Sequence, residues 1–211
     1  MEPFMQTKLG VLYCGNAVKV LSNIRERAKL LVADFPYKVG NFTRSEYLEW
    51  AERIIKHFGR LTRPDGFMLI INNPYNIFYM SQYLQQFRLL NEIILVKNNP
   101  HREEGRFPFM HNTALLLTKR KVFLENDVDM LDVVQVEIGY ELDGVRHPAA
   151  ISEDFFEKVI SATTNEGDLV IDVFTGSGTV PVVCERLHRR WIGIEIKPKF
   201  CEMTLKRVAG L

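Results

Sequence analysis

The stretch that most restricts the fold is "DLVIDVFTGSGTV" at 168–180, followed at 190–200 by "RWIGIEIKPKF". An apolar run breaks into Gly176-Ser177-Gly178, and a second apolar run ends on Glu195. That is the pattern of a strand, a tight turn against a ligand, a helix, and a second strand offering a carboxylate about twenty residues on. Glycines there let the backbone approach a ligand, and the helix beginning near Gly178 presents unpaired N–H groups. Glu195 is placed to accept both hydroxyls of a ribose. Alone, this segment allows any adenine-nucleotide ligand, nicotinamide and flavin cofactors included. Such pockets usually open a chain, and this one lies close to residue 211.

The remaining segments alternate between strand and helix. "GVLYC" (10–14) has strand composition, and Gly15-Asn16 turns the chain into a short helix over 17–26. "KLLVADFPY" (29–37) reads as a fully buried parallel strand running into a functional loop, 34–45. Tyr47, Leu48, Ala51, Ile54, Ile55 and Phe58 recur at helical spacing and predict a helix from Arg44 to Leu61. "RPDG" (63–66) is expected to be a turn, "FMLIIN" (67–72) a strand and "NIFYMSQYLQQFRLL" (76–90) a helix. "EIILVK" (92–97) and "TALLLTK" (113–119), joined by a polar, basic and aromatic loop, suit an antiparallel pair. Residues 119–147 show no clear period. "SEDFFEKVISATT" (152–164) predicts a helix with Ser152 as cap, and "PKFCEMTLKRVAG" closes the chain as another. The expected fold is α/β, one domain with a mostly parallel sheet covered by helices on both faces and one antiparallel strand.

Composition excludes little. The chain has 27 Lys and Arg against 26 Asp and Glu, a net charge of +1, which neither demands nor forbids a polyanionic partner. Cys14, Cys184 and Cys201 lack metal-ligand spacing and fit a reducing compartment. No apolar run approaches the roughly 18 residues of a membrane span, and "MEPFMQTK" is not a signal peptide, so a cytoplasmic protein without a membrane partner is expected.

A second motif sharpens the first. "ADFPY" (33–37) sets a carboxylate, an extended X-Pro step and an aromatic ring at a strand's C-terminal end, where α/β sheets bind ligands. "NNPY" (72–75) also follows a strand and competes for the same role. With "DVFTGSGTV" (172–180), "RRWIGIEI" (189–196), "DFPY" (34–37), "YCGN" (13–16), "RPDGFMLI" (63–70) and "RHPAAISEDFFEKVI" (146–160) in hand, the sequence resembles the S-adenosylmethionine-dependent amino methyltransferases of DNA. These make N6-methyladenine or N4-methylcytosine, as in restriction-modification. The catalytic tetrad precedes the cofactor loop, as in the circularly permuted β-class branch, which explains the late position of the glycine turn. The match is patchy but covers most of the chain.

The resemblance implies a Rossmann-like methyltransferase fold in permuted order, with residues 119–147 as a small target-recognition insert. It implies S-adenosylmethionine as cofactor, held by Asn16, Asp172, Phe174, Gly176, Ser177, Gly178, Thr179 and Glu195, and no metal. Asp34 and the carbonyl of Phe35 would accept hydrogen bonds from the exocyclic amine, and Pro36 and Tyr37 complete the tetrad, with Tyr37 stacking on a base flipped out of double-stranded DNA. A homodimer is also implied. Arg102, Arg106, Phe107 and Phe109 would grip phosphates or the flipped base; a solvated loop with two docked aromatics is the plainer reading. His57, His147, Lys197 and Lys199 read as structural or exposed.

Three departures stand out. Phe35 replaces a proline, but as the residue before Pro36 it is still biased to the extended region. Asn16 replaces an aspartate, and its amide oxygen accepts without charge. Val173 replaces a proline in the cofactor loop. The tetrad begins with Asp, which favours adenine N6; cytosine N4, an RNA amine, and a cofactor-binding module without catalysis are the alternatives.

Overall fold

The computed structural model describes residues 2–101, 105 and 107–211, with the side chains of residues 99, 101, 140, 148 and 149 outside the description. In chain order the elements are β1 (Met5–Gln6), β2 (Gly10–Cys14), α1 (Ala17–Asn23), β3 (Ala28–Asp34), α2 (Arg44–Leu61) and β4 (Thr62–Asn72). Next come α3 (Pro74–Leu84), β5 (Arg88–His101), β6 (Phe109–Thr118), β7 (Val133–Gln135), β8 (Ile138–Leu142) and β9 (Val145–Ile151). The chain ends with α4 (Glu153–Thr163), β10 (Leu169–Asp172), α5 (Thr179–Arg186), β11 (Arg190–Glu195) and α6 (Pro198–Ala209).

Nine strands form one sheet in the order β1-β2-β11-β10-β3-β4-β6-β5-β7, and β8 and β9 form a separate antiparallel hairpin. From β2 through β11, β10 and β3 to β4 all pairings are parallel. β6 runs antiparallel to both β4 and β5. Alternation along each inner strand assigns side chains to faces. Leu30 and Val32 of β3 join Phe67, Leu69 and Ile71 of β4 on the face covered by α4, α5 and α6. Leu31 and Ala33 join Met68 and Ile70 on the face covered by α1, α2 and α3. The fold is thus the Rossmann-like α/β sheet covered on both faces.

Local sequence explains the sharpest boundaries. α2 starts where Thr43 and Glu46 form a capping box, with Thr43 Oγ1 accepting from Glu46 N at 3.3 Å and Glu46 Oε2 accepting from Thr43 N at 2.8 Å. α4 takes Ser152 at the cap position without a side-chain bond; Glu153 and Asp154 supply negative charge to its first turn.

Four expectations need correction. "RPDG" is part of β4: the strand buckles there, its register against β3 moving from Ala28↔Thr62 to Leu30↔Phe67, and Lys29 Nζ donates to Asp65 O at 2.9 Å across the buckle. α1 ends at Asn23, short of residue 26. α3 ends at Leu84, because Arg88 and Leu89 pair with Thr118 and Leu117 of β6, and sheet pairing outweighs helical spacing. The loop expected over 98–111 is shorter, β5 reaching His101 and β6 starting at Phe109. Within the unassigned 119–147 lie β7, on the sheet edge beside β5, and most of the β8–β9 hairpin.

Connectivity fixes where a ligand can sit. From β10 the chain passes through α5 on one face to β11, and from neighbouring β3 it passes through α2 on the other face to β4. Loops leaving the carboxyl ends of β10 and β3 therefore diverge, opening a crevice between them. Asp172 ends β10 and Asp34 ends β3.

Candidate active site

A cavity of about 280 Å³ occupies that crevice, lined by Asp34, Phe35, Pro36 and Tyr37 from the β3 loop, Phe174 and Gly176 from the β10 loop, and Glu195 to Lys197 after β11. His147 of β9 and Phe200 of α6 close it. Two sequence motifs 135 positions apart meet here because β3 and β10 are parallel neighbours, in register from Leu30↔Val170 to Val32↔Asp172.

The cofactor-loop half is held by backbone groups. Gly176, at φ +54°, donates its N–H to Glu195 Oε2 at 2.9 Å, and Lys197 N donates to Glu195 Oε1 at 2.8 Å. The carboxylate is thereby oriented, with remaining lone pairs on each oxygen. Gly178, at φ +86°, starts α5, and a Cβ there would lie 2.8 Å from the Thr204 side chain. Only glycine allows both the left-handed backbone and that approach. Ser177 and Thr179 turn to Arg207 of α6, whose guanidinium donates to Ser177 O at 2.7 Å and lies 3.4 Å from Thr179 Oγ1. Their side chains hold the loop onto α6 and do not line the cavity.

Asn16 is exposed, and its Oδ1 accepts from Lys19 N at 3.3 Å as the cap of α1. It stands outside the cavity lining, although β2 ends beside Glu195. Capping uses one of the two lone pairs of that oxygen and leaves the other for a ligand.

The tetrad half is more constrained than "DFPY" suggests. The Phe35 ring is 1 % exposed and packs against Trp50, Phe58 and Phe174 at centroid distances of 5.8, 6.3 and 5.0 Å. A side chain where the related motif has a proline ring therefore anchors the loop in the core under α2. Three successive carbonyls are then held by side chains: Phe35 O accepts from Asn72 Nδ2 at 3.3 Å, Pro36 O from Tyr47 Oη at 2.9 Å and Tyr37 O from Asn76 Nδ2 at 3.3 Å. "NNPY" supplies this scaffold, since Asn72 and Asn76 brace the tetrad loop while Asn73 caps α3.

Electrostatics divide the region. Burial pushes the Asp34 carboxyl up to about 7, with Lys97 acting against it. Burial raises Asp172 to about 8, opposed by the Phe174 N–H and reinforced by Asp34 and Glu195. Burial also lowers His147 to about 4, aided by Lys197, Lys199 and Arg207. His147 was read from sequence as structural or exposed. It packs against Phe200 at 4.5 Å, in keeping with a structural residue, and lies beside Gly176 with its buried Nδ1 lacking a hydrogen-bond partner.

The raised carboxyls make stability fall with pH. A group that binds its proton more tightly when folded contributes stability fully below its unfolded value, here 3.8, and loses it as pH rises through about 7 for Asp34 and about 8 for Asp172. The thermal midpoint of the ligand-free chain should decline between about pH 6.5 and 8, above the range where His147 titrates, and Asp172→Asn should flatten the decline. A native profile without that slope would contradict the burial of these groups.

On the other side of Tyr37 lies a second cavity of about 580 Å³, lined by Tyr37, Phe42, Tyr47, Tyr75, Tyr79 and Phe109 together with Lys38, Arg44 and Lys97 and, among the described residues, by no Asp or Glu. Arg44 stacks over the Tyr79 ring at 4.4 Å. Phe109 packs on Tyr75 at 5.5 Å, whereas Phe107 is 93 % exposed. Arg102 and Arg106 lie outside the described residues. Sequence reasoning missed Tyr47, Asn72, Asn76, Lys97 and Asn112; the only advance signals were a lysine and an asparagine closing otherwise apolar strands. Among the described residues no cluster of His, Cys, Asp or Glu could hold a metal ion, and no helix is long and apolar enough to cross a membrane.

Comparison with known proteins shows the family and the fold. The sequence profile of a DNA methylase family, N6/N4 methyltransferases, matches residues 28–206. The type II methyltransferase M.HpaI of Haemophilus parainfluenzae is 29% identical over 231 residues, covering 93% of this chain and 73% of that protein. The type II methyltransferase M2.DpnII of Streptococcus pneumoniae is 27% identical, with 98% and 92% covered. Among solved structures, the cytosine-N4-specific PvuII DNA methyltransferase shares the fold at a TM-score of 0.82 and 21% identity, covering 98% of this chain and 88% of that one. The complex of M1.HpyAVI with SAM superposes at a TM-score of 0.72 with 28% identity, covering 94% of this chain and all of that one (100%). With the profile spanning the sheet from β3 to α6, the chain belongs to the N6/N4 family of DNA methylases.

Proposed function

We propose that the protein transfers a methyl group from S-adenosylmethionine to an exocyclic amino group of a DNA base, with adenine N6 preferred. The observation that carries this reading is the pair of cavities sharing Tyr37: one acidic, the other aromatic and cationic. The first suits a cofactor bearing a sulfonium and an ammonium. Asp34 and Glu195 line it, Asp172 stands behind it, and the partnerless His147 Nδ1 leaves a polar atom for a ligand to satisfy. The second suits a nucleotide, whose base stacks on rings and whose phosphate pairs with Lys or Arg.

When bound, the cofactor supplies an electrophilic methyl group. The chain's own residues do the rest. Glu195, fixed by the Gly176 and Lys197 N–H groups, accepts the ribose hydroxyls. Asp34 accepts a hydrogen bond from the target amine, favouring the nitrogen lone pair over its delocalisation into the ring, stabilises the positive charge that develops on the nitrogen as it attacks, and receives the proton that the nitrogen then sheds. Phe35 O, with one lone pair given to Asn72, offers the second acceptor. Tyr37 provides a face for a base turned out of the duplex. Adenine is preferred because a carboxylate opens the tetrad.

We also read the strand order as a permuted one: β10 and β11 come last in the chain yet lie between β2 and β3 in the sheet. Residues 119–147 serve as a small recognition insert of the single domain.

The test is nucleoside analysis after incubation with labelled cofactor and duplex DNA. N6-methyladenine is expected. N4-methylcytosine would move the base assignment, and methylation of RNA in preference to DNA would overturn the substrate.

A further inference from the structure

Lys97 lies at the tetrad and has no part in the mechanism above. It is 8 % exposed, near the end of β5, and lines the aromatic cavity. The pairing Leu95↔Asn112 puts Lys97 and Asn112 on one face of the β5–β6 hairpin as diagonal neighbours. Lys97 Nζ donates to Asn112 Oδ1 at 3.0 Å, and Asn112 Nδ2 donates to Tyr37 Oη at 2.7 Å. An ammonium has no lone pair, so it turns Oδ1 of the Asn112 amide toward itself, and Tyr37 Oη meets both ends of that amide, accepting from Nδ2 and lying 3.1 Å from Oδ1, to which its O–H donates. The same ammonium lies 5.6 Å from the centre of the Tyr37 ring and 5.5 Å from that of Phe109.

We propose that Lys97 is a positioning residue of the methyl-transfer site, locking the Tyr37 ring through Asn112 and holding Asp34 as the carboxylate that accepts the amine hydrogen. The proposal rests on the reading that Asp34 and Tyr37 receive an amine. The groups facing Asp34 set the balance of charge. Asp172 on β10 and Glu195 on β11 disfavour its ionisation, His147 on β9 is neutral near pH 7, and Tyr37 and Tyr47 are phenols raised to about 12 and above the ordinary range by burial. Lys197 lines the same cavity. Lys97 is the cation whose field pulls the Asp34 carboxyl down against burial, and Asp34 in turn acts against the burial that lowers Lys97. With Lys97 neutralised, Asp34 would stay protonated to higher pH and would offer the amine a donor where an acceptor is needed.

The test compares pH profiles of kcat for the native chain, Lys97→Met, Lys97→Arg and Asn112→Leu. Lys97→Met should move the acidic limb up by about one pH unit or more, an opposite charge nearby being worth about 1–3 units, and lose about tenfold activity near neutrality that returns at high pH. Lys97→Arg should keep the limb in place. Asn112→Leu should lower kcat with the limb unmoved, because only the ring is released. An unshifted limb in Lys97→Met overturns the proposal, and so does failure of Lys97→Arg to restore it. Should Lys97→Met not fold, Lys97→Gln makes the same comparison. Carbon-13 NMR titration of the Asp34 carboxyl in the free chain requires no activity: its midpoint should rise in Lys97→Met. If native enzyme leaves DNA unmethylated while that midpoint moves, the function fails and the coupling stands; if DNA is methylated and the midpoint stays, the coupling fails.

Discussion

Replacement of Asp34 by Ala is expected to lower methyl transfer by about 10²–10³-fold while cofactor affinity stays within about threefold, because a group that meets the developing charge is worth that much in the transition state and little in the ground state. Asp34 closes β3, the neighbour of β10, and lines the smaller cavity together with Tyr37, the residue that both cavities share. Removing its side chain leaves the loop anchored by Phe35 in the core and by the Asn72, Tyr47 and Asn76 bonds to three carbonyls. The loss would therefore be of chemistry and not of fold. Equal stability by thermal unfolding, native cofactor Kd and collapsed kcat is the expected set. A variant with native kcat would exclude Asp34 from the reaction.

The second large effect falls on Glu195, which lines the same cavity as Asp34. Glu195→Ala should weaken cofactor binding by about 10²-fold or more, since hydrogen bonds to a charged group contribute about 1.5–3 kcal/mol each and a ribose offers two hydroxyls. The substitution also strips the Gly176 and Lys197 N–H groups of their acceptor, so the turn loses its alignment as well. Glu195→Gln, which keeps two acceptor lone pairs on one oxygen, should recover part of the loss. Isothermal titration with S-adenosylmethionine reads both, and an unchanged Kd in Glu195→Ala would place the cofactor elsewhere.

The glycine-loop half of the candidate site is legible in sequence because its information is local. The apolar runs of β10 and β11, the glycines between them and Glu195 at strand end lie within 27 consecutive positions, 169–195. α2 was equally clear, both ends falling at Arg44 and Leu61 as the spacing predicts. The tetrad's support was not legible, because Asn72, Tyr47, Asn76 and Asn112 act through contacts that exist only once β4, α2, α3 and the β5–β6 hairpin have packed. Lys97 is a case in point: its place on the right face depends on the irregularities of register in β5, between Leu89 and Asn91 and again after Val96. The place of His147 in the cavity lining was missed for a related reason, since the β8–β9 hairpin stands apart from the main sheet and no periodicity carries it to Gly176. Asn16 shows how one residue fits two roles, because a residue at a strand end that reads as a ligand contact is also a good helix cap, and capping is a local bond that it makes.

Transfer of labelled methyl from S-adenosylmethionine to duplex DNA, run beside RNA of the same sequence and beside the Asp34→Ala chain, tests the central claim most directly. Label in DNA, little in RNA and a collapse of transfer in Asp34→Ala is the predicted result; cofactor binding by the native chain with no transfer to DNA would contradict it.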